Sequence, residues 1–342
     1  MSDFESLLAQ YDYPLHPEQI AARPASPRDS SKLLIYDRAT KSTQIDVYSH
    51  IYRYIPKGSL LVFNETRVIP ARIVGRVATG GKVELLCTRF GGNELLALSE
   101  RGLSTGEQIW LNKKTYLKVI RKTGKEYQIG LPRGFNIRKY MRRHGVTPLP
   151  PYLKHSPLSE KERRVKYQTI FAKKDGSIAA PTASLHFTKR LIAKLNAAGI
   201  ETAFITLHVN LGTFMPLTEE NVASGLLHEE RFEIPGAALK KIEKAKKAGH
   251  LIVPVGTTAL RALESAYAGA RVRPSGMTRL FIREGYRFKV ANGLITNYHV
   301  PRSSLMMLVA SLVGRKKLLE LYSFAGKSNF RFLSFGDGML VR

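Results

Sequence analysis

The spacing of short apolar runs changes near the middle of the chain, and this change constrains the fold most. Between residues 67 and 152, short runs rich in β-branched and aromatic residues are separated by turns that contain glycine. Even spacing of such runs is typical of a small barrel or sandwich. The strand candidates here are residues 71–77, 82–90, 94–99, 108–111, 116–122 and 127–131.

From residue 153 onwards, helix and strand patterns alternate. Thr188 precedes an apolar stripe that stops at Gly199, and a strand, two further helices and another strand follow up to residue 269. Such alternation predicts a parallel or mixed sheet with helices packed on it. The first 66 residues contain a strand candidate at 32–37 and read like this second part. We therefore predict an α/β fold with a mixed sheet and flanking helices, formed by residues 1–66 and 153–342, with a small β-barrel domain of residues 67–152 inserted.

Length and apolar content limit the class of protein. A chain of 342 residues suggests about two domains. No run approaches 18 apolar residues, and the N-terminus lacks a basic start followed by an apolar core. We expect a cytoplasmic protein without a membrane partner. Cys87 is the single cysteine, which excludes a disulfide framework and a cysteine-held zinc or iron–sulfur site.

The charge of the chain is strongly positive. Lys and Arg number 54 against 27 Asp and Glu, so the formal net charge is +27. This surplus favours a polyanionic partner such as RNA, although general surface basicity is the simpler alternative. Two basic clusters, residues 138–144 and 161–166, flank the proline-rich segment 148–153. They could form one continuous basic stripe.

Three loops of small residues suggest one shared pocket. They lie in residues 167–187, 207–214 and 253–265, next to strand or helix patterns. Ligands of open α/β sheets bind beyond the carboxyl ends of the strands. At one such end, Gly256 allows close backbone approach, while Thr257 and Thr258 could cap a helix or hold a carboxylate or phosphate.

Two familiar nucleotide motifs are absent. The glycine-rich segment near Gly75 lacks the lysine and the Ser/Thr of a P-loop, and no strand is followed by GxGxxG. Neither a dinucleotide-binding domain nor a glycine-rich methyltransferase is supported.

Six motifs, taken in order, resemble one family. They are VFNETRVIPAR (62–72), YQTIFAKKDGSIAAPTASLHF (167–187), LHVNLGTF (207–214), VPVGTTALRALES (253–265), LITNYHVP (294–301) and FGDGML (335–340). Together they resemble the S-adenosylmethionine:tRNA ribosyltransferase-isomerase family of queuosine biosynthesis, from Tyr11 to Val341. This resemblance also implies an α/β domain with an inserted barrel.

The resemblance implies a reaction and its partners. The ribosyl part of S-adenosylmethionine is transferred to the aminomethyl group of preQ1 at the tRNA wobble position, giving epoxyqueuosine and releasing adenine and methionine. It implies S-adenosylmethionine as co-substrate, tRNA as partner, no metal, and no protein partner. The alternative is a non-catalytic tRNA- or RNA-binding protein with a degenerate pocket, and a third possibility is an enzyme acting on another modified base.

This chemistry requires a base, an acid and a group that deprotonates the attacking amine. By position in the matching motifs, the catalytic candidates are His186, His208, His228 and Glu230. The alternative for a histidine beside an apolar run is a hydrogen-bonded core residue without a chemical role. The alternative for Glu230 and its charged neighbours is a solvent-exposed loop. Which residue is base and which is acid stays open.

Other matching residues are binding candidates. Candidates for S-adenosylmethionine are Thr182, Thr257, Thr258, Arg261, Glu264 and Asp337. Candidates for the tRNA substrate are Asn64, Thr66, Arg67, Arg72, Arg142, Arg143 and His299. The alternatives are a surface ion pair between Arg261 and Glu264, a pair of Arg67 with a nearby acid, and turn capping by Asp337.

Four residues depart from the usual family pattern. Ser184 and Asn210 stand where glycine is expected, Ala259 where serine is expected, and Asn292 where aspartate is common. Asparagine tolerates a left-handed backbone, but Ser184 would be strained if the glycine is needed for a positive φ. These changes put catalytic efficiency in question and leave the fold intact.

Overall fold

The computed structural model of the protein describes residues 2–210 and 216–342. The strands are β1 (Lys32–Tyr36), β2 (Thr43–Val47), β3 (Leu60–Asn64), β4 (Thr66–Val68), β5 (Arg72–Arg76), β6 (Lys82–Gly91), β7 (Glu94–Leu98), β8 (Gln108–Asn112), β9 (Thr115–Thr123), β10 (Glu126–Gly130), β11 (Lys174–Ser177), β12 (Glu201–Leu207), β13 (Leu226–Glu233), β14 (Ile252–Val255), β15 (Ser275–Leu280), β16 (Leu294–Asn297) and β17 (Gly338–Val341). The helices are α1 (Asp3–Ala9), α2 (Ile137–His144), α3 (Glu160–Lys166), α4 (Lys189–Ala197), α5 (Glu219–Ser224), α6 (Gly236–Lys247), α7 (Thr257–Ala266), α8 (Ser304–Val313) and α9 (Arg315–Lys327).

A mixed sheet of nine strands, in the order β15-β13-β12-β3-β14-β16-β17-β1-β2, forms the main layer. Its centre, β12-β3-β14-β16, is parallel. Every residue of β3 and β14 is buried, as expected for central strands with both faces covered. Helices α6 and α7 pack on one face, and α4 packs with the 3-10 segment Tyr48–Arg53 on the other.

Helix α4 begins and ends at the predicted signals. Thr188 Oγ1 accepts a hydrogen bond from the Leu191 N–H at 3.1 Å, which caps α4, and Gly199 beyond its end has a φ of +73°. Helix α8 is buried in one core cluster with α9 and with aromatic side chains such as Tyr298 and Phe332. In the described residues, no helix combines the length and the apolar character needed to cross a membrane.

Strands β5 to β10 close into a six-stranded antiparallel barrel. Each strand contributes alternate residues to one core, for example Ile73, Leu85, Ala97, Ile109 and Leu117. The predicted α/β class with a mixed sheet, flanking helices and a small β-barrel is confirmed. The domain limits 66/67 and 152/153 stay a prediction.

Two contacts bring the ends of the barrel segment together. Strand β4, just before the barrel, pairs in parallel with β11, which follows the connector. Arg72, the first barrel strand residue, forms a bridge with Val146 beyond the last barrel strand. The predicted basic clusters also meet, because Arg164 of α3 donates to the carbonyl of Arg142 in α2 at 2.7 Å.

Candidate active site

A cavity of about 620 Å³ lies at the carboxyl ends of the central strands. Three segments line it: residues 179–183, residues 256–258 after β14, and residues 296–303 at the end of β16. Val209, beyond β12, also lines it. All three predicted loops thus contribute to one cavity, and it includes the predicted residues Thr182, Thr257, Thr258 and His299.

The start of α7 forms one wall of this cavity. Gly256 has a φ of +94°, which only glycine adopts at low cost, and its N–H donates to the Ile295 carbonyl at 2.7 Å. Its carbonyl accepts the first helical hydrogen bond, from the Leu260 N–H. The next N–H groups belong to the first turn, where an α-helix offers no carbonyl partner of its own. This wall favours a negatively charged group.

Asn64 holds this wall against the neighbouring strands. The fully buried Asn64 side chain donates from Nδ2 to Thr258 Oγ1 at 3.1 Å and to the Leu207 carbonyl at 2.9 Å. Its Oδ1 accepts from the N–H groups of Thr66 and Leu207 at 3.1 Å. All four bonds are internal, so Asn64 fixes the relative position of β3, β12 and α7.

His186 lies in a buried network next to the cavity wall. Its ring stacks on Tyr48 with centroids 4.1 Å apart, and Nε2 accepts from Nδ2 of Asn297 at 3.2 Å. Asn297 Nδ2 also donates to the backbone carbonyl of Asp337 at 3.3 Å. Burial lowers the pKa of His186 to about 3, and the charge of Arg331 acts in the same direction. The ring is neutral at physiological pH.

Asp337 organises the far side of this network. Its carboxylate accepts from the N–H groups of Lys32 at 3.0 Å and Arg331 at 2.7 Å, and from the Arg331 guanidinium at 3.2 Å. The side chain is only 2% exposed. These contacts hold the carboxylate against the backbone of β1 and of Arg331, while the predicted contact of Asp337 with S-adenosylmethionine stays a prediction.

His299 is a second neutral histidine. Burial lowers its pKa to about 4, and Nε2 lies 2.8 Å from the Thr296 hydroxyl. Its backbone N–H donates to the hydroxyl of Tyr322 at 3.0 Å, and its carbonyl accepts from Tyr13 at 2.5 Å. His299 is therefore held rigidly at the cavity wall.

His208 lies where β12 ends, beside the barrel. Its Nδ1 is 2.9 Å from the Thr66 hydroxyl, which in turn lies 2.7 Å from the Ser177 hydroxyl. Burial lowers the pKa of His208, and the positive charges of Arg231 and Lys174 lower it further. The remainder of the LHVNLGTF motif, residues 211–214, lies outside the described residues.

Glu230 and Arg261 form a buried ion pair. The Glu230 carboxylate accepts from the Arg261 guanidinium and from the Asn210 N–H at 3.2 Å, and both charged side chains are less than 10% exposed. Arg261 Nε donates to the Leu280 carbonyl at 3.1 Å. The alternative of a surface pair between Arg261 and Glu264 is wrong, because Arg261 contacts a residue of β13 instead.

Glu264 satisfies a loop of backbone donors. It is fully buried and accepts from the N–H groups of Lys289, Val290 and Ala291 at 2.7 to 3.1 Å and from the Tyr286 hydroxyl at 3.1 Å. It does not line the cavity. Its predicted contact with S-adenosylmethionine stays a prediction.

The remaining candidates lie around the barrel or on the surface. Arg67 and Arg142 both approach Asp175, at 3.6 and 2.9 Å, and Arg72 pairs with Glu84 at 3.0 Å. The Arg67 pairing agrees with its alternative, a pair with a nearby acid. His228 on β13 and Arg143 on α2 are exposed. Within residues 2–210 and 216–342, no three His, Cys, Asp or Glu side chains are grouped to hold a metal ion.

A family model described as "Queuosine biosynthesis protein" matches residues 8–341. The chain belongs to this family. It is 41% identical to the S-adenosylmethionine:tRNA ribosyltransferase-isomerase of a Nostoc strain, over 99% of this chain and 93% of that protein. It is 43% identical to the protein of that name from Thermosynechococcus vestitus, over 98% and 95%.

A solved structure is similar over the whole fold. The crystal structure of S-adenosylmethionine tRNA ribosyltransferase from Thermotoga maritima matches with a TM-score of 0.57 and 28% identity, over 97% of this chain and all of that chain. These comparisons support the enzymatic interpretation over the alternative of a binding-only protein.

The four departures from the family pattern have different local environments. Ser184 is not among the residues with positive φ and lies in the 3-10 segment Thr182–His186, so the strain considered for it is absent. Asn210 donates from Nδ2 to the Glu229 carbonyl at 3.1 Å. Asn292 Oδ1 accepts from the Ile252 N–H at 2.6 Å, and Ala259 packs in the buried side of α7.

Sequence reasoning missed Asn297. It lines the cavity, contacts His186, is 3% exposed, and its Oδ1 is buried without a hydrogen-bond partner among the described residues. The sequence did contain a signal for it. Asn297 stands at the end of an apolar strand, two residues before His299, and a polar side chain buried at such a position needs a hydrogen-bond partner.

Proposed function

We propose that the protein transfers and isomerises the ribosyl moiety of S-adenosylmethionine onto preQ1 at the wobble position of tRNA. Epoxyqueuosine remains in the tRNA, and adenine and methionine are released. The observation that carries this proposal is the single cavity into which the three motif loops converge. The name shared by relatives that align over nearly the whole chain supports it.

The cavity residues suit S-adenosylmethionine. The start of α7, with Thr257 and Thr258, offers N–H groups and hydroxyls for the methionine carboxylate. Tyr152 contributes aromatic surface, which tolerates the sulfonium charge and packs against the purine. The buried Oδ1 of Asn297 is an acceptor that an amino or hydroxyl group of the ligand would satisfy.

His208 is our first candidate for proton transfer. Its lowered pKa keeps the ring neutral, so it can accept a proton, and Thr66 fixes Nδ1. Among the described contacts, Nε2 is the ring nitrogen left for the substrate. Its neighbour in the chain, Val209, lines the cavity, whereas His208 itself is not among the lining residues. Glu230, paired with Arg261, and the exposed His228 remain candidates for the second proton-transfer group.

His186 suits a positioning role better than proton transfer. Efficient proton transfer requires a pKa near the working pH, and a pKa of about 3 is far below it. As a neutral acceptor, His186 instead fixes the orientation of the Asn297 amide, whose Nδ2 faces the His186 ring and the Asp337 carbonyl.

The test is to incubate the purified protein with S-adenosylmethionine and tRNA containing preQ1. Mass spectrometry then measures free adenine and epoxyqueuosine in the digested tRNA. We expect both products in equal amounts. Epoxyqueuosine absent while the tRNA and S-adenosylmethionine both bind would contradict the proposal.

A further inference from the structure

A second cavity, which we call the groove, has a volume of about 890 Å³ and lies between the barrel and residues 146–154. Its barrel side includes Val74, Leu86 and Leu98, which alternate with the inward-facing residues of β5, β6 and β7. The opposite side is the proline-rich segment 148–151. Both sides of the groove therefore contribute apolar side chains to its floor.

The rim of the groove is basic. Its lining includes six cationic side chains and two carboxylates. Glu84 pairs with Arg72 and Lys82, whereas Lys122, Lys125 and Lys154 are exposed. For these three lysines, the described residues show no ion pair. They are available to a polyanion, and exposed lysines bind phosphates as point charges.

Two polar atoms in the groove lack partners. Arg163 Nε and Ser99 Oγ are both buried without a hydrogen-bond partner among the described residues, and both residues line the groove. A buried donor without an acceptor destabilises the fold. A ligand with acceptor oxygens would satisfy the Arg163 Nε–H and the hydroxyl.

The groove continues into the cavity of the candidate active site. Pro151 lines both, and Ile178 of the groove is followed in the chain by Ala179 of the cavity. An RNA strand that lies in the groove can therefore reach the cavity by passing Pro151.

We propose that the groove binds the single-stranded RNA next to the nucleotide that is modified in the cavity. Phosphates contact Lys122, Lys125 and Lys154, and bases lie on the apolar floor. This inference rests on the proposed function, because it takes the tRNA substrate as the occupant. It adds the path by which the RNA approaches.

The first experiment compares salt dependence of RNA binding. The probe is a transcribed tRNA with an unmodified guanine at the wobble position, and its Kd is measured by fluorescence anisotropy at several salt concentrations. The triple variant Lys122→Gln, Lys125→Gln, Lys154→Gln should reduce the slope of log Kd against log salt by about 2, since each single-strand phosphate contact contributes about 0.7. Calorimetric S-adenosylmethionine affinity should stay unchanged.

The matched control removes the same charge elsewhere. Lys240, Lys247 and Lys316 are exposed and line neither the cavity nor the groove. Changing these three to glutamine should leave the slope close to that of the wild-type protein. An equal loss of slope in both triple variants would overturn the groove and indicate binding by overall charge.

A cross-linking experiment locates the RNA directly. Cys87 is buried inside the barrel, so a cysteine introduced by Lys154→Cys can be labelled selectively with a photo-cross-linker. We expect RNA adducts from Lys154→Cys and none from Lys247→Cys. Equal adducts from both would overturn the proposal.

The two proposals fail in different ways. If RNA binding and cross-linking depend on the groove but no epoxyqueuosine forms, the proposed function is contradicted. The groove would then remain an RNA-binding site. If the wild-type protein forms epoxyqueuosine but the groove variant keeps the full salt dependence of RNA binding, only the proposed RNA binding in the groove is overturned.

Discussion

Asn297 donates from Nδ2 to Nε2 of His186 at 3.2 Å, and the same Nδ2 donates to the Asp337 carbonyl at 3.3 Å. The second contact determines the orientation of the amide, because a flipped Asn297 would place its oxygen against a carbonyl oxygen. His186 Nε2 is therefore an acceptor, and Asn297 Oδ1 is turned away from this network.

Removing the His186 acceptor should lower the rate without moving its pH dependence. We expect His186→Ala to reduce kcat by about 10-fold or more, because Asn297 loses the partner that fixes its amide, a loss of about 1–3 kcal/mol. His186→Gln supplies an acceptor oxygen and should recover part of the rate. A pH–rate profile that loses one limb in both variants would instead identify His186 as a proton-transfer residue.

The neutral histidines should make the protein less stable in mild acid. In the unfolded chain, imidazoles bind protons with a pKa near 6.5, whereas in the fold His186 and His299 do so only near 3 and 4. Below pH 6.5 the unfolded state therefore binds more protons, and this stability is lost progressively down to about pH 3 to 4.

The measurement is urea unfolding at pH 7 and pH 4.5. A His186→Gln, His299→Gln variant should lose less stability between these two values than the wild-type protein. The exposed His228 provides the control, since His228→Gln should leave the difference unchanged. An equal loss in all three proteins would contradict the assignment.

Breaking the Glu230–Arg261 pair should destabilise the fold. Both groups are buried, and removing one partner of such a pair costs about 3–5 kcal/mol. We expect Glu230→Gln and Arg261→Met each to lower the free energy of unfolding, and the double variant to recover part of the loss. Urea unfolding measures these free energies. Any activity test of Glu230→Gln must include this measurement, so that a loss of stability is not mistaken for a loss of catalysis. If the losses in the double variant were strictly additive, the pairing would be contradicted.

A methyl group at Gly176 should displace His208. A Cβ built on Gly176 lies 2.7 Å from His208 Nδ1, closer than real Cβ atoms approach, so the ring or the strand must shift, and the φ of +154° adds backbone strain. We expect Gly176→Ala to lower kcat while the protein remains folded. Gly225→Ala, where a Cβ meets no atom within 4 Å, is the control for activity. Full activity of Gly176→Ala would exclude His208 from catalysis.

Local patterns predicted the elements well. The six barrel strands match their predicted runs to within one or two residues, because alternation and glycine turns are encoded locally. The cavity was predictable too, since strand ends of an open sheet meet at one edge. Thr182, Thr257 and Thr258, from two of the three predicted loops, line this cavity together with His299.

Partners distant in the chain could not be predicted in this way. Arg261 pairs with Glu230, 31 residues earlier, and not with Glu264 on its own helix, because α7 is buried on every side and its polar side chains face different elements. Likewise, Asn297 and His186 are 111 residues apart. Helical spacing carries no information about contacts of this kind.

The bridge between Arg72 and Val146 makes the barrel a loop that leaves and rejoins the α/β part at neighbouring points. Such an insertion can diverge without disturbing the strands that build the cavity. If RNA binds in the groove as proposed, changes on the outside of this one small barrel would alter which nucleic acid is accepted and leave the chemistry of the cavity unchanged.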